Sequence, residues 1–292
     1  MIFTGVVSAV TTPFEADGTL ALARLREHVE WLIESGCAGV TACGTMGEAS
    51  ALTRDERAAV IAACVEAAAG RVPVIAGISA TGAAAAAAYA RDAAAAGADA
   101  LMCLPPLLYA GDDREVRAFL AEVAAATELP LQLYNNPHAS GGTDLPAAAI
   151  AELMEIDGLV SVKECSGDAR RIAELLQRDV DVMVGGDDWA LEGAAAGASG
   201  WVSGVVNVAP VECVALWAHA RSGELAPARE LYARVAALAR MDMTPKLVQY
   251  FKAGMDAIGR YGGPCRPPRL DLTGDERREV ADAIAALVPA PV

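Results

Sequence analysis

The sequence predicts a parallel (β/α)8 barrel carrying a helical C-terminal extension. Short apolar, β-branched runs alternate with helical patterns at a period of roughly thirty residues, as βαβ units require. Eight such runs fit before residue 210, and a barrel of this kind takes about 250 residues, fewer than the 292 present. The rival, a doubly wound open sheet, would favour a Gly-rich turn after the first strand. Here that strand runs into Thr11-Thr12-Pro13-Phe14 instead.

In chain order, residues 6–11 form the first strand, and residues 20–35 a helix stopped by Gly36, a C-cap signal. Residues 38–43 are the second strand. Thr53 with Glu56 reads as a capping box opening a helix to about residue 69. The third strand is 72–76, followed by an Ala-rich helix from Thr81 to Gly97. The fourth, 100–104, stops at Pro105-Pro106, and a helix covers 112–127. Strand five is 129–134 and its helix 145–155. Strand six, 159–163, reads as buried because it is apolar and β-branched; its helix covers 168–177. Strand seven is 182–185, with a small-residue helix to about 196, and strand eight is 200–206. Beyond 210 the alternation ends in helical patterns over 211–222, 225–240, 244–258 and 273–287, the last opened by Thr273 and Glu276. The expected division is a barrel over 1–209 bearing the active site and a helical part over 210–292. No linker-like composition separates them, so the second part is expected to pack on the barrel.

Composition narrows the function. The chain is 54% hydrophobic but only 5% aromatic, so its core is packed by small side chains. A net charge of −15 argues against nucleic acid and anionic membranes as partners. No apolar run is long enough to span a bilayer, and no signal peptide is apparent at the start. Seven dispersed cysteines without a CxxC read as reduced thiols of a cytoplasmic protein. Three scattered histidines offer no metal-site spacing.

Lysine usage is informative. Only three of the 23 Lys and Arg residues are lysines: Lys163, Lys246 and Lys252. Lys163 ends the apolar run Leu159-Val160-Ser161-Val162. An ammonium in apolar surroundings loses its proton more easily, whereas guanidinium stays charged, so a lysine there suits a Schiff-base nucleophile. The alternative is a strand-end lysine that snorkels to solvent or pairs with Glu164. Catalytic groups of such barrels sit at the C-terminal strand ends. Gly44-Thr45-Met46-Gly47-Glu48 follows strand two, where the Thr45 hydroxyl and backbone N–H groups could present themselves to a carboxylate, or the glycines could simply turn the chain. Tyr134-Asn135-Asn136-Pro137 ends strand five, one strand from Lys163; Tyr134 is either a proton relay or a core-capping side chain. Gly185-Gly186-Asp187-Asp188 follows strand seven. Its carboxylates argue against a phosphate cradle, and either could N-cap the next helix.

Taken together with the opening Val7-Ser-Ala-Val-Thr-Thr-Pro-Phe14, Pro73-Val-Ile-Ala-Gly77 and Val162-Lys-Glu164, these motifs resemble the dihydrodipicolinate synthase / N-acetylneuraminate lyase family over nearly the whole chain. The resemblance implies a (β/α)8 barrel, commonly a tetramer built as a dimer of dimers, and no metal or organic cofactor. It implies that Lys163 condenses with a 2-oxo acid, that Tyr134 shuttles protons, and that Thr45 with neighbouring N–H groups, flanked by Gly44 and Met46, holds the substrate carboxylate. It also implies that Gly186 and Val202 line the pocket with backbone carbonyls. This chain departs from the lysine-pathway synthases of that family. Met46 stands where they carry a second Thr. Leu107-Leu108 stands where they carry a Tyr lent across the dimer interface, with Tyr109 out of step. The segment His138-Ala-Ser-Gly-Gly142 lacks the Arg that grips the aldehyde's carboxylate. The expectation is a Schiff-base lyase for a hydroxylated 2-oxo acid or its cyclic imine, such as a 2-keto-3-deoxy sugar acid or a hydroxypyrroline carboxylate, with His138 and Ser140 facing the distal part of the substrate. The alternatives are 4-hydroxy-tetrahydrodipicolinate synthase and a non-catalytic 2-oxo acid sensor.

Overall fold

A computed structural model describes residues 2–287. The eight strands are β1 (Gly5–Ala9), β2 (Gly39–Ala42), β3 (Val74–Gly77), β4 (Ala100–Cys103), β5 (Leu131–Asn135), β6 (Leu159–Glu164), β7 (Val182–Val184) and β8 (Gly200–Ser203). They pair in parallel in sequence order, and β8 closes onto β1, so the sheet has no edge. The intervening helices are α1 (Leu22–Glu34), α2 (Arg54–Ala68), α3 (Ala83–Ala95), α4 (Asp113–Ala124), α5 (Ala147–Leu153), α6 (Arg170–Leu176) and α7 (Ala190–Ala196). They are followed by α8 (Pro210–Arg221), α9 (Leu225–Ala239), α10 (Leu247–Ala257) and α11 (Gly274–Ala285).

The local signals act as the sequence suggests. Thr53 and Thr273 each accept a hydrogen bond from the backbone three residues on, and the Glu56 and Glu276 carboxylates accept the N–H of Thr53 and Thr273. Asp112 and Glu115 form a third such box at the start of α4. Gly36 follows α1 with φ +98°, a conformation that a side chain would strain.

One expectation is corrected, and one is left as a proposal. The helical part is expected from 210, where α8 packs on α9, α7 and β1. The expected second part also includes residues 288–292, which lie outside the described residues. The sixth strand is not wholly buried, because Val160 is 47% exposed. The β5–β6 register explains this. Leu131 pairs with Leu159 but Gln132 pairs with Ser161, so Val160 is the extra residue of a bulge and turns outward.

The C-terminal part is tied to the barrel mouth by buried charge. Glu48, in the loop after β2, meets Lys252 of α10 at 2.7 Å and Arg269 at 3.6 Å, and accepts the backbone N–H of Arg266 at 3.0 Å. Phe14 lies between Lys252 and Arg266, whose cationic groups stand 4.6 and 4.4 Å from its ring centre. Among the described residues no helix is long and apolar enough to cross a membrane.

Candidate active site

The bulge sets the geometry of the site. Beyond it Gln132 faces Ser161, and two residues on Tyr134 faces Lys163 in direct register. Side chains two apart on a strand share a face, so the Gln132–Ser161 hydrogen bond, 3.0 Å long, forms a polar layer under the Tyr134–Lys163 pair. Lys163 Nζ lies 4.1 Å from the centre of the Tyr134 ring. Both side chains are about 5% exposed.

They line a cavity of about 380 Å³ at the C-terminal mouth of the barrel, together with residues from the ends of seven strands or the loops after them. Burial pushes the Lys163 ammonium below the ordinary lysine pKa, while Cys165, Asp242 and Asp187 pull it back up. Burial likewise raises the Tyr134 phenol well above its usual value, so it stays protonated. Its oxygen accepts a 2.9 Å hydrogen bond from the Asn136 amide, which also donates to the Cys165 sulfur at 3.5 Å. Glu164 is not the partner of Lys163. Its carboxylate accepts from the Asn135 amide at 2.9 Å and from the Ser166 N–H at 2.7 Å.

A second wall comes from the turn after β2. Gly47 lets the backbone close tightly, since a Cβ there would sit 3.2 Å from the Val10 carbonyl oxygen. The Gly47 carbonyl accepts from the Thr12 hydroxyl at 2.7 Å. The turn is thereby fixed with Gly44, Thr45 and Met46 on the cavity. Among the described residues, no other backbone group takes the N–H of Thr45 or Met46. Those donors and the Thr45 hydroxyl suit a carboxylate.

The third wall was not legible beforehand. Asp242, Met243, Thr244, Pro245 and Leu247, between α9 and the start of α10, all line the cavity. Burial pushes the Asp242 carboxyl up to about 6, although Lys163 draws it down. Its Oδ2 accepts from the Asp187 N–H at 3.4 Å. Asp187 itself does not cap α7, and neither does Asp188. The Asp187 carboxylate turns inward to the Trp201 indole N–H at 2.9 Å and the N–H groups of Gly204 and Val205 at 3.1 and 2.7 Å. It thus ties the loop after β7 to the loop after β8. Burial and Asp242 raise its pKa, and the Val205 N–H and Lys163 lower it. Among the described residues, no three His, Cys, Asp or Glu side chains converge as a metal would require.

A sequence model of the Dihydrodipicolinate synthetase family matches residues 2–287. The chain belongs to that family. It is 37% identical over 291 residues to a 4-hydroxy-tetrahydrodipicolinate synthase of Erythrobacter litoralis, covering 97% of this chain and 98% of the relative. It is 32% identical over 290 residues to the protein of that name from Methanothrix thermoacetophila, covering 98% and 97%. A solved dihydrodipicolinate synthase from Bacillus anthracis superposes with a TM-score of 0.94 at 28% identity, over 99% of this chain and all of that one. The chain is therefore an enzyme, a lyase of the Schiff-base aldolase type, and the sensor alternative is set aside.

Within this dihydrodipicolinate synthetase family member, the cavity brings together Lys163, Tyr134, Thr45, Gly44, Met46, Val202 and His138. His138 is at the exposed rim. Two expected residues are elsewhere. Ser140 is fully buried, and its hydroxyl is spent on the carbonyls of Asn136 at 2.9 Å and Thr143 at 3.2 Å, so it shapes the loop rather than facing a substrate. Gly185, not Gly186, lines the cavity. Gly186 is needed for packing, because a Cβ there would meet the Trp189 ring at 2.3 Å. Reading the chain missed Asp242, Asn136 and Cys165. Asn136 lay inside the quoted Tyr134–Pro137 motif without a role, and Cys165 directly follows the quoted Val162-Lys-Glu164. Asp242 lay between two methionines with no spacing relation to anything else.

Proposed function

We propose that Lys163 forms an imine with the carbonyl of a pyruvate-type 2-oxo acid and that the enzyme makes or breaks a bond at the carbons beyond it. The observation that carries this reading is the register pair: a desolvated lysine set against a buried, protonated tyrosine at the barrel mouth. A lysine that sheds its proton readily attacks a carbonyl. The resulting iminium withdraws electrons from C2 and acidifies C3. Loss of a C3 proton gives an enamine, which adds to an aldehyde or expels a leaving group. In this reading Tyr134 passes protons at the imine, and Thr45 with the N–H groups of its turn holds the 2-oxo acid carboxylate. Met46 and Val202 close the pocket, and no metal or organic cofactor takes part. The protein works in the cytoplasm on small molecules, as a homotetramer like others of the family.

For the second half of the reaction, the relatives favour 4-hydroxy-tetrahydrodipicolinate synthase. One observation favours a lyase of hydroxylated 2-oxo acids instead. Among the described residues no Lys or Arg apart from Lys163 lines the 380 Å³ cavity, and an acid, Asp242, does. Arg57 and Arg269 reach only an adjoining cavity of about 180 Å³. Arg57 there donates to the Ala49 carbonyl at 2.9 Å, and Arg269 faces Glu48. A carboxylate at the distal end of the substrate would lack the charged partner that such recognition uses.

Exchange of the pyruvate methyl protons with D2O, followed by NMR, tests the imine chemistry. Enzyme-dependent exchange that is abolished in Lys163→Ala is expected. Exchange that survives that substitution would refute the proposal.

A further inference from the structure

We infer that Asp242 is a second catalytic acid-base group, acting on the oxygen at C4 of the bound substrate while Tyr134 acts at the imine. The inference rests on the imine reading above and holds for either second substrate. It starts from placement. The 242–247 segment lies outside the eight strands yet forms a wall of the same cavity as Lys163. Among the described residues, Asp242 is the only carboxylate that lines the cavity. It is held there from two sides. The Asp187 N–H reaches its Oδ2, and its Oδ1 lies over Gly204, where a Cβ would come within 3.2 Å. Gly204 in turn donates its N–H to Asp187. The acid therefore lies against the loops after β7 and β8.

The chemistry needs a group at that place. When the enamine adds to an aldehyde, the C2=C3 pair forms the C3–C4 bond and the nitrogen lone pair becomes the second bond of C2=N⁺. The aldehyde π pair moves to its oxygen, which takes a proton and becomes the C4 hydroxyl. With Asp242 as donor, the carboxyl becomes carboxylate and the charges balance. Cleavage runs the same steps backwards, with the carboxylate taking the hydroxyl proton. In dehydration the C4–O pair leaves with the oxygen, and the Asp242 proton completes a water molecule. Tyr134 is already committed near the imine, with its oxygen bound by Asn136 and its ring against Lys163. A carboxyl that burial pushes up to about 6, against the opposing pull of Lys163, is suited to exchange protons close to neutrality. Around it stand Lys163, Tyr134, Cys165, Asp187 and Asp188.

The test compares wild type, Asp242→Asn and Asp242→Glu. Two half-reactions are read separately: methyl-proton exchange of pyruvate, and turnover of pyruvate with glyceraldehyde, pyruvate with aspartate semialdehyde, and 2-keto-3-deoxygluconate. The expected result for Asp242→Asn is exchange within about threefold of wild type but turnover lowered by about 10²–10⁴, with partial recovery in Asp242→Glu. In the direction of addition the acid must be protonated, so the wild-type rate falls as pH rises through about 6, and this limb is absent in Asp242→Asn. Full turnover in Asp242→Asn with an unchanged pH profile overturns the inference. So does an equal loss of exchange and turnover, which would mean that Asp242 merely positions Lys163. If wild type exchanges pyruvate protons yet turns over none of the three probes, the imine reading stands and the assignment of Asp242 falls.

Discussion

Tyr134 and Lys163 illustrate what single residues decide. A phenol that stays protonated under burial is useful only where a proton must be delivered, and here it stands against the single lysine that lines the cavity. Tyr134→Phe keeps the ring against Lys163 and removes the hydroxyl. Pyruvate proton exchange is expected to fall by about 10²–10⁴, while the fold, followed by circular dichroism, is unchanged. Lys163 was legible because lysine is scarce in this chain and an apolar strand is an unusual place for one. Tyr134 and Thr45 were legible through their motifs. Asp242 was not, because its relation to Lys163 arises only when the α9–α10 segment folds over the barrel. Ser140 shows the opposite case: its position in the sequence suggested the substrate, but its hydroxyl satisfies two backbone carbonyls.

At the level of elements, alternation and capping made the order of strands and helices readable. The bulge in β6 was not, since nothing in Leu-Val-Ser-Val distinguishes a regular strand from one with an extra residue. Packing between elements also carries a pH dependence. His28 of α1 is buried, with Nε2 at 2.9 Å from the Asn207 Oδ1, and the Asn207 amide donates to the carbonyls of Ala9 and Gly204 at 2.8 Å each. Burial lowers the His28 pKa from 6.5 to about 4. The unfolded chain therefore binds the proton first. The contribution is fully present above 6.5 and is lost as pH falls toward 4, amounting to about 2 kcal/mol between pH 7 and pH 5. Urea unfolding at those two pH values is expected to show this loss, and a smaller one in His28→Gln. Equal losses in both proteins would contradict the assignment.

Across the whole molecule, the C-terminal part supplies more than bulk. It brings Asp242 to the cavity and Lys252 to Glu48, the residue that ends the turn carrying Thr45. Lys252 and Glu48 are both almost completely buried. Lys252→Met leaves the carboxylate without its nearest charge, and breaking such a pair costs about 3–5 kcal/mol. A matching drop in unfolding free energy is expected in urea titration; a change below about 1 kcal/mol would show that Arg269 and the Arg266 N–H suffice to hold Glu48. The three lysines thus have distinct places: Lys252 in this clamp, Lys246 paired with Glu276, and Lys163 in the cavity. That separation makes the central claim directly measurable. The protein is incubated with pyruvate, reduced with borohydride, and mapped by peptide mass spectrometry. A single pyruvate-sized adduct on Lys163, absent without pyruvate, is the predicted result. An adduct on Lys246 or Lys252 instead, or none on any lysine, would contradict the account.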